Sequence, residues 1–345
     1  MTNKSKDINK IVHTPIGRIG VFIIWLFLCI TSGWVTDCAD IDNYRAYYES
    51  SSRTDYYVRT FSNPGFYFLY TIFQSLGFSF KDYHILFYVC IMTFLVWFVW
   101  RYSRKPVVVL LLYIAVAFFG DVIQMKNSLA IVFLYIALIG IIDKKWEHMK
   151  LITAVILLLS ATIHVGFLSY MVLLLYDRKI NSKIYISSMI ILSLVGHSIL
   201  QSFTQYALLL EADSIVGKAE DYLSGGSIFS VFACSIVYLI NIFTCKRFFK
   251  WNYDTTIYVD RLLTINVLLS VIIIFSSVNM TFFRLFRNMI LFNSVFIING
   301  YVKSKKTPAD LTVILFYFFV MSYFYLLRGH IAEDVVNILQ SNSLL

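Results

Sequence analysis

The chain has 345 residues, 59% of them apolar, and carries 29 Lys and Arg against 20 Asp and Glu for a formal charge of +9. Soluble domains are about 45–50% apolar, so with a mean hydropathy of +0.73 this is no soluble protein. Recurring runs of roughly 15–20 apolar residues, without the period-two alternation of barrel strands, predict an all-α polytopic transmembrane helix bundle. The basic excess does not signal nucleic acid: 20 of the 29 Lys and Arg fall in alternate connectors, as the positive-inside rule places them on the cytoplasmic side.

In chain order, with the N-terminus inside, a first span over about 18–34 leads into a polar stretch from Asp37 to Phe66. No small-residue cleavage site follows the first run, so it is expected to stay in the membrane as helix one. The polar stretch is richer than a connector needs: it holds Asp40, Asp42, Arg45, Arg53, Asp55 and Arg59 among many tyrosines. Ile41, Tyr44, Tyr47 and Tyr48 recur at helical spacing, which predicts a short amphipathic helix at the interface with its rings at headgroup level. Asn63-Pro64-Gly65 breaks the chain and restarts it.

The run 66–80 is short and interrupted by Gln74 and Gly77. As a full span it would put the Arg101–Lys105 cluster outside, so it is read as re-entrant or interfacial. Spans follow at about 83–100, 106–120 and 128–142, leaving Asp121–Asn127 as a brief outer connector. The run 151–176 carries cytoplasmic-type charge at both ends, which predicts a broken helical hairpin turning at His164-Val165-Gly166. Helix breaks inside a membrane are tolerated where they line a cavity. A helix over 184–200, an outer loop at 201–227 and spans at about 228–245, 259–278, 289–302 and 311–327 complete one membrane domain, 1–345, of about eleven crossings.

Ionisable groups at membrane depth are costly and mark function. The outer-end candidates are Asp40 and Arg45, Gln124 and Lys126, His164 at the break, and Arg284 with Arg287 among Phe282, Phe283 and Phe286. The i,i+3 arginines share a helical face suited to gripping a phosphate or pyrophosphate; snorkelling to headgroups is the plainer role. His164 has the titration range of a general base, and Asp40 offers a second acceptor for a sugar hydroxyl's proton. Tyr44, Tyr47 and Tyr48 present faces for sugar stacking. The five cysteines form no C-x-x-C and are expected to be small buried hydrophobes. His84, His148, His197 and His330 fall in no ligand spacing, so neither a metal nor a cofactor is expected.

Asp40-x-x-x-Tyr44, Pro64-Gly65-Phe66, Leu76-Gly77-x-x-Phe80, Gln124-x-Lys126-Asn127-x-x-Ala130 and Ala161-x-x-His164-x-Gly166 together resemble the EpsG-like family of bacterial polysaccharide polymerases, of the Wzy type. Two positions depart: Asn63 stands where the family often has glutamate, and Lys126 where arginine is usual, keeping the charge without the bidentate fork. The resemblance implies an enzyme of the bacterial cytoplasmic membrane that joins undecaprenyl-pyrophosphate-linked oligosaccharide units on the outer face, in capsule, exopolysaccharide or O-antigen synthesis. A flippase and a chain-length regulator would be partners by analogy. It further implies Arg284, Arg287 and Lys126 on the pyrophosphate, His164 or Asp40 for the acceptor proton, and Tyr44, Arg45, Tyr48, Gln124 and Asn127 around the sugars. A lipid-linked oligosaccharide flippase, a polysaccharide ligase and a sugar acyltransferase are the competing functions.

Overall fold

The computed structural model describes residues 14–50, 63–143, 150–208, 227–252, 256–276, 280–327 and 331–344. Among them regular structure is helical apart from one antiparallel bridge, Val35 to Asn342. Seven of the described helices are long and apolar enough to cross a membrane: α1 (Pro15–Gly33), α4 (Phe80–Tyr102), α5 (Pro106–Ile123), α6 (Met125–Ile142), α9 (Ile228–Phe249), α10 (Thr256–Phe275) and α13 (Pro308–Leu326). Between them lie α2 (Ile41–Glu49), α3 (Pro64–Ser75), α7 (Lys150–Ile163), a 3₁₀ helix (Val165–Leu175), α8 (Ser182–Leu208), the single turn α11 (Arg284–Arg287) and α12 (Ile290–Lys303); α14 (Ile331–Gln340) comes last. An expected count of eleven requires counting the four shorter apolar helices, Lys150–Ile163, Val165–Leu175, Ser182–Gly196 and Ile290–Lys303, as crossings.

Local chemistry sets the helix starts. Thr14, Ser79, Ser227 and Thr307 each accept a backbone N–H into the first turn, and Pro15, Pro64, Pro106 and Pro308 occupy first-turn positions where no N–H is missed. Thr307 and Asp310 form a reciprocal capping box. α3, at 12 residues, rises about 18 Å at 1.5 Å per residue, well short of a hydrocarbon core of about 30 Å. It packs on α7 so closely that a Cβ on Gly65 would lie 2.4 Å from the Thr162 hydroxyl.

The break in the hairpin falls at His164, which is extended (φ −145°, ψ 110°) between α7 and the 3₁₀ helix. The connector expected at Asp121–Asn127 is shorter than the sequence suggested. Helix runs through Asp121 to Ile123, only Gln124 leaves helical geometry (φ −108°, ψ 75°), and α6 starts at Met125. The apolar side chains Val122, Ile123 and Met125 are buried there, which favours helix over loop. Two π-turns meet nearby, Ile114–Phe118 within α5 and Tyr323–Leu327 ending α13, joined by the Ser322 hydroxyl donating to the Ala115 carbonyl at 3.1 Å. Such insertions re-aim the residues that follow and recur at functional sites.

α9, α10, α12 and α13 are tied through their core by three fully buried asparagines. Asn241 donates to Asn266 at 3.0 Å, Asn266 to Asn293 at 3.0 Å and Asn293 back to Asn241 at 3.1 Å, while the Tyr317 hydroxyl donates to Asn241 at 3.0 Å. At one end of the bundle Asn299 takes the Arg104 N–H and donates to the Tyr102 carbonyl, Lys303 holds the Asn252 carbonyl, and Arg247 pairs with Asp310 at 2.7 Å. The other end gathers α2, Gln124, His164, α11 and α14. There the last residues fold back on α1: Asn342 donates to the Ile30 carbonyl at 2.9 Å, and Ser341 exchanges hydrogen bonds with Thr36 and Asp37. All five cysteines are free; Cys29, Cys38, Cys234 and Cys245 are buried and Cys90 is exposed.

Candidate functional site

α2 is amphipathic as expected, with Ile41, Tyr44 and Tyr48 buried and Asp42, Asn43 and Glu49 exposed. Its buried rings pack against protein. They enter an aromatic cluster with α3 and the start of α4, because a tyrosine ring gains most when its body is packed and its hydroxyl still has a partner. Tyr48 stacks on Tyr83 at 5.3 Å, meets Tyr70 edge-on at 5.2 Å and donates its hydroxyl to the Phe78 carbonyl at 2.8 Å. At 3% exposure it supports the cluster and offers no face to a sugar.

Lys126 sits beside this cluster. Its ammonium lies 5.0 Å from the Tyr67 ring centre, 5.6 Å from Tyr47, and 5.7 Å from both Tyr44 and Phe66, and donates to the Tyr67 hydroxyl at 3.2 Å. The four rings hold the ammonium in place while leaving the cation's net charge available for an anion. Lys126 and Arg284 both act electrostatically on Asp40 and on His164. Four residues from the first loop, the α5–α6 junction, the hairpin break and α11 therefore converge at one end of the bundle.

Asp40 is half-buried at the start of α2. Burial pushes its carboxyl above the ordinary aspartate range; Arg284 and Lys126 pull the other way, and Asp334 of α14 adds a like charge that pushes it further up. Asp334 is itself raised, first by burial and then by Glu333, and its side chain takes the Ala39 N–H. His164 turns Nδ1 to the Gly166 N–H at 3.2 Å and packs its ring edge-on to Phe167. That bond fixes Nδ1 as acceptor, which leaves the proton of a neutral ring on Nε2.

The two arginines part company. Arg284 is half-buried and faces the Asp40 and His164 side, whereas Arg287 is 2% exposed and turns inward. Arg287 donates to the Gly120 carbonyl and to Gln124 Oε1, each at 3.0 Å, and pairs with Asp121 at 3.2 Å; the Tyr113 hydroxyl bonds the other Asp121 oxygen at 2.8 Å. A Cβ on Gly120 would fall 2.2 Å from an Arg287 nitrogen, so glycine is needed for the guanidinium to come this close. Gln124 is thereby engaged with Arg287. Asn127 is buried in a reciprocal amide pair with Asn288 at 2.9 and 3.1 Å, rather than facing a sugar. Arg45 pairs with the exposed Asp42 at 3.2 Å, donates to the Thr36 carbonyl and lies over Phe80, on a different stripe of α2 from the Lys126 cluster.

The loop that carries Arg284 is pinned from several sides. Being one turn long, α11 leaves its carbonyls without helical partners. Tyr325 bonds the Phe283 carbonyl, Tyr170 the Leu285 carbonyl and Tyr135 the Asn288 carbonyl. Asp121, Asn288, Asp334 and these tyrosines are what reading the sequence missed. Only Asp121 had a signal, a carboxylate closing a strongly apolar run that has to find a cation.

No curated protein and no solved structure matches the chain significantly. A family model described as the EpsG family matches residues 18–339, nearly the whole length. On that match, this multispanning membrane protein belongs to the EpsG family.

Proposed function

We propose that the protein polymerises a bacterial polysaccharide by glycosyl transfer between lipid-linked units at the outer face of the cytoplasmic membrane. Family membership supports a role in polysaccharide biosynthesis. The observation that carries the finer reading is the meeting of Arg284 and Lys126 with Asp40 and His164 at one end of the bundle. The acceptor hydroxyl of one undecaprenyl-pyrophosphate-linked oligosaccharide attacks the anomeric carbon of another. The glycosidic bond to pyrophosphate breaks, and the lipid pyrophosphate leaves with the bonding electrons.

Two requirements follow, a base for the hydroxyl proton and cations for the charge that grows on the leaving oxygen. Arg284 and Lys126 meet the second as a fixed pair whose supports are already in place before substrate binds. Asp40 is the acceptor for the first, its raised carboxyl suiting a base that takes a proton and later returns it; His164, with Nδ1 taken by the Gly166 N–H and its proton on Nε2, donates a hydrogen bond to the sugar instead of deprotonating it. Arg287 acts through Arg284 by holding the loop.

The test is deletion in the host, restored with wild type or Arg284→Ala, with surface polymer and extracted lipid-linked glycans sized by mass. Loss of polymer with single units accumulating on the outer face is expected for the deletion and for Arg284→Ala. Units trapped on the inner face would instead identify a flippase, and unchanged polymer would refute the proposal.

A further inference from the structure

A cavity of about 280 Å³ opens at the same end of the bundle but on another stripe of α2. Tyr44 and Tyr47 of α2 face Lys126, while Ile41, Arg45 and Glu49, spaced i, i+4 and i+8, line the cavity together with Ser79, Phe80 and Lys81 from the start of α4. Its floor is fixed by His84, 3% exposed, with Nδ1 3.0 Å from the Gly33 carbonyl.

The lining has an unusual mixture of chemistry. Arg45 is held as a fixed fork, bonded to Asp42 at 3.2 Å and to the Thr36 carbonyl at 3.3 Å, with its guanidinium 5.8 Å from the centre of the Phe80 ring. The side chains of Glu49 and Lys81 make no hydrogen bond or ion pair with any other of the described residues. An apolar occupant would leave the Arg45 fork and the exposed ends of Glu49 and Lys81 with no partner inside the cavity. A simple anion would suit Arg45 and Lys81 but would meet Glu49. A ring with hydroxyls around its edge and C–H groups on its face satisfies all of them: hydroxyls donate to Glu49 and accept from Arg45 and Lys81, while the C–H face lies on Phe80. At about 30 Å³ per water the space holds about nine waters, which such hydroxyls can replace bond for bond.

We propose that this cavity is a saccharide subsite, which holds a sugar of the lipid-linked glycan on the far side of α2 from the pyrophosphate cations. Its ligand class rests on the polymerase reading, but its existence is tested apart from it. α2 with its side chains is about 10–12 Å across, so the bound sugar lies one or a few rings along the chain from the reacting bond. It sets how long a growing chain is retained, not whether a bond is made.

The experiment uses the full chain in lipid nanodiscs and the host's repeat-unit oligosaccharide released from its lipid. Acylation of Lys81 by an amine reagent, read by mass spectrometry, is expected to slow when the oligosaccharide is added. The protection should need at least tenfold more oligosaccharide in Arg45→Ala, and Glu49→Gln should weaken it in the same direction, tenfold being about 1.4 kcal/mol. Arg45→Lys, which keeps the charge, controls for folding. In the host, Arg45→Ala is expected to shorten the glycan ladder while still joining units, whereas Arg284→Ala joins none. Unprotected Lys81 beside a normal ladder would overturn the subsite and leave the polymerase standing. Protection without any ladder in wild type would keep the subsite and remove the polymerase. Protection by the nanodisc lipid alone, with no response to oligosaccharide, would mark the cavity as a headgroup site and overturn the proposal.

Discussion

Arg287→Met strips the guanidinium from a pair that is almost wholly enclosed, leaving Asp121, 3% exposed, with the Tyr113 hydroxyl as its remaining side-chain partner. Breaking a buried ion pair from one side costs about 3–5 kcal/mol, because the surviving charge stays desolvated. Against a total stability of about 5–15 kcal/mol that is a large fraction. Arg287→Met combined with Asp121→Asn removes both charges, and the Asn oxygen still accepts from Tyr113. Its cost is expected below about 2 kcal/mol, since replacing both partners of such a pair is often close to neutral. The cycle should therefore show a coupling of about 2 kcal/mol or more, read from thermal unfolding of the purified chain in nanodiscs by tryptophan fluorescence. Polymer yield separates stability from positioning: the double variant folds but stays inactive, because nothing then latches the Arg284 loop to Gly120 and Gln124. A double variant as unstable as the single one, or a double variant with full polymer yield, would refute the reasoning.

Gly120→Ala places a methyl where the Arg287 guanidinium lies, and the same loss of polymer is expected with Arg287 intact, checked by ladder length at matched membrane levels. Lys126→Arg is expected to keep activity and Lys126→Gln to lose it by roughly 10–100-fold, as the removal of one charge-assisted hydrogen bond of about 1.5–3 kcal/mol predicts; equal activity of Gln and Lys would remove Lys126 from the reaction. The raised Asp40 carboxyl binds its proton more tightly in the fold than in the unfolded chain. Its contribution to stability is thus present at low pH and lost as pH rises from the ordinary aspartate range through the raised value. Asp40→Asn should flatten that fall, and Arg284→Gln, by removing a charge that lowers the carboxyl, should move it to higher pH; profiles identical to wild type in both would show that Asp40 is not the group concerned.

Hydropathy located the long apolar helices because it follows from local composition. α1, α4 and α9 begin and end within about four residues of the limits read from sequence, inside the usual uncertainty of helix ends. The break at His164 was legible for a similar reason, since a 26-residue apolar run with cytoplasmic-type charge at both ends has to turn. What sequence did not show was partnership. Arg284 and Arg287 look alike by spacing, yet one faces the site and the other is consumed by Asp121, 166 positions away in the chain. Asn127 and Tyr48 look polar and available in one dimension but are locked in pairings that depend on Asn288 and on the carbonyl at Phe78. Periodicity fixes a residue's depth and face, and only the packed bundle decides what meets it there.

The closed ring of Asn241, Asn266 and Asn293, with Tyr317 donating into it, limits how the bundle can move. Each amide gives and receives within the ring, so sliding any one of the four helices past its neighbours strands several polar groups at once where no water can replace them. Individually such bonds average only about 0.6 kcal/mol in membrane bundles, but a ring breaks as a unit. This half of the molecule therefore behaves as a keel. The hairpin, α2 and α3 are short segments with no such ring among their described residues, so under the proposed function this is the side that would admit and release a growing polysaccharide.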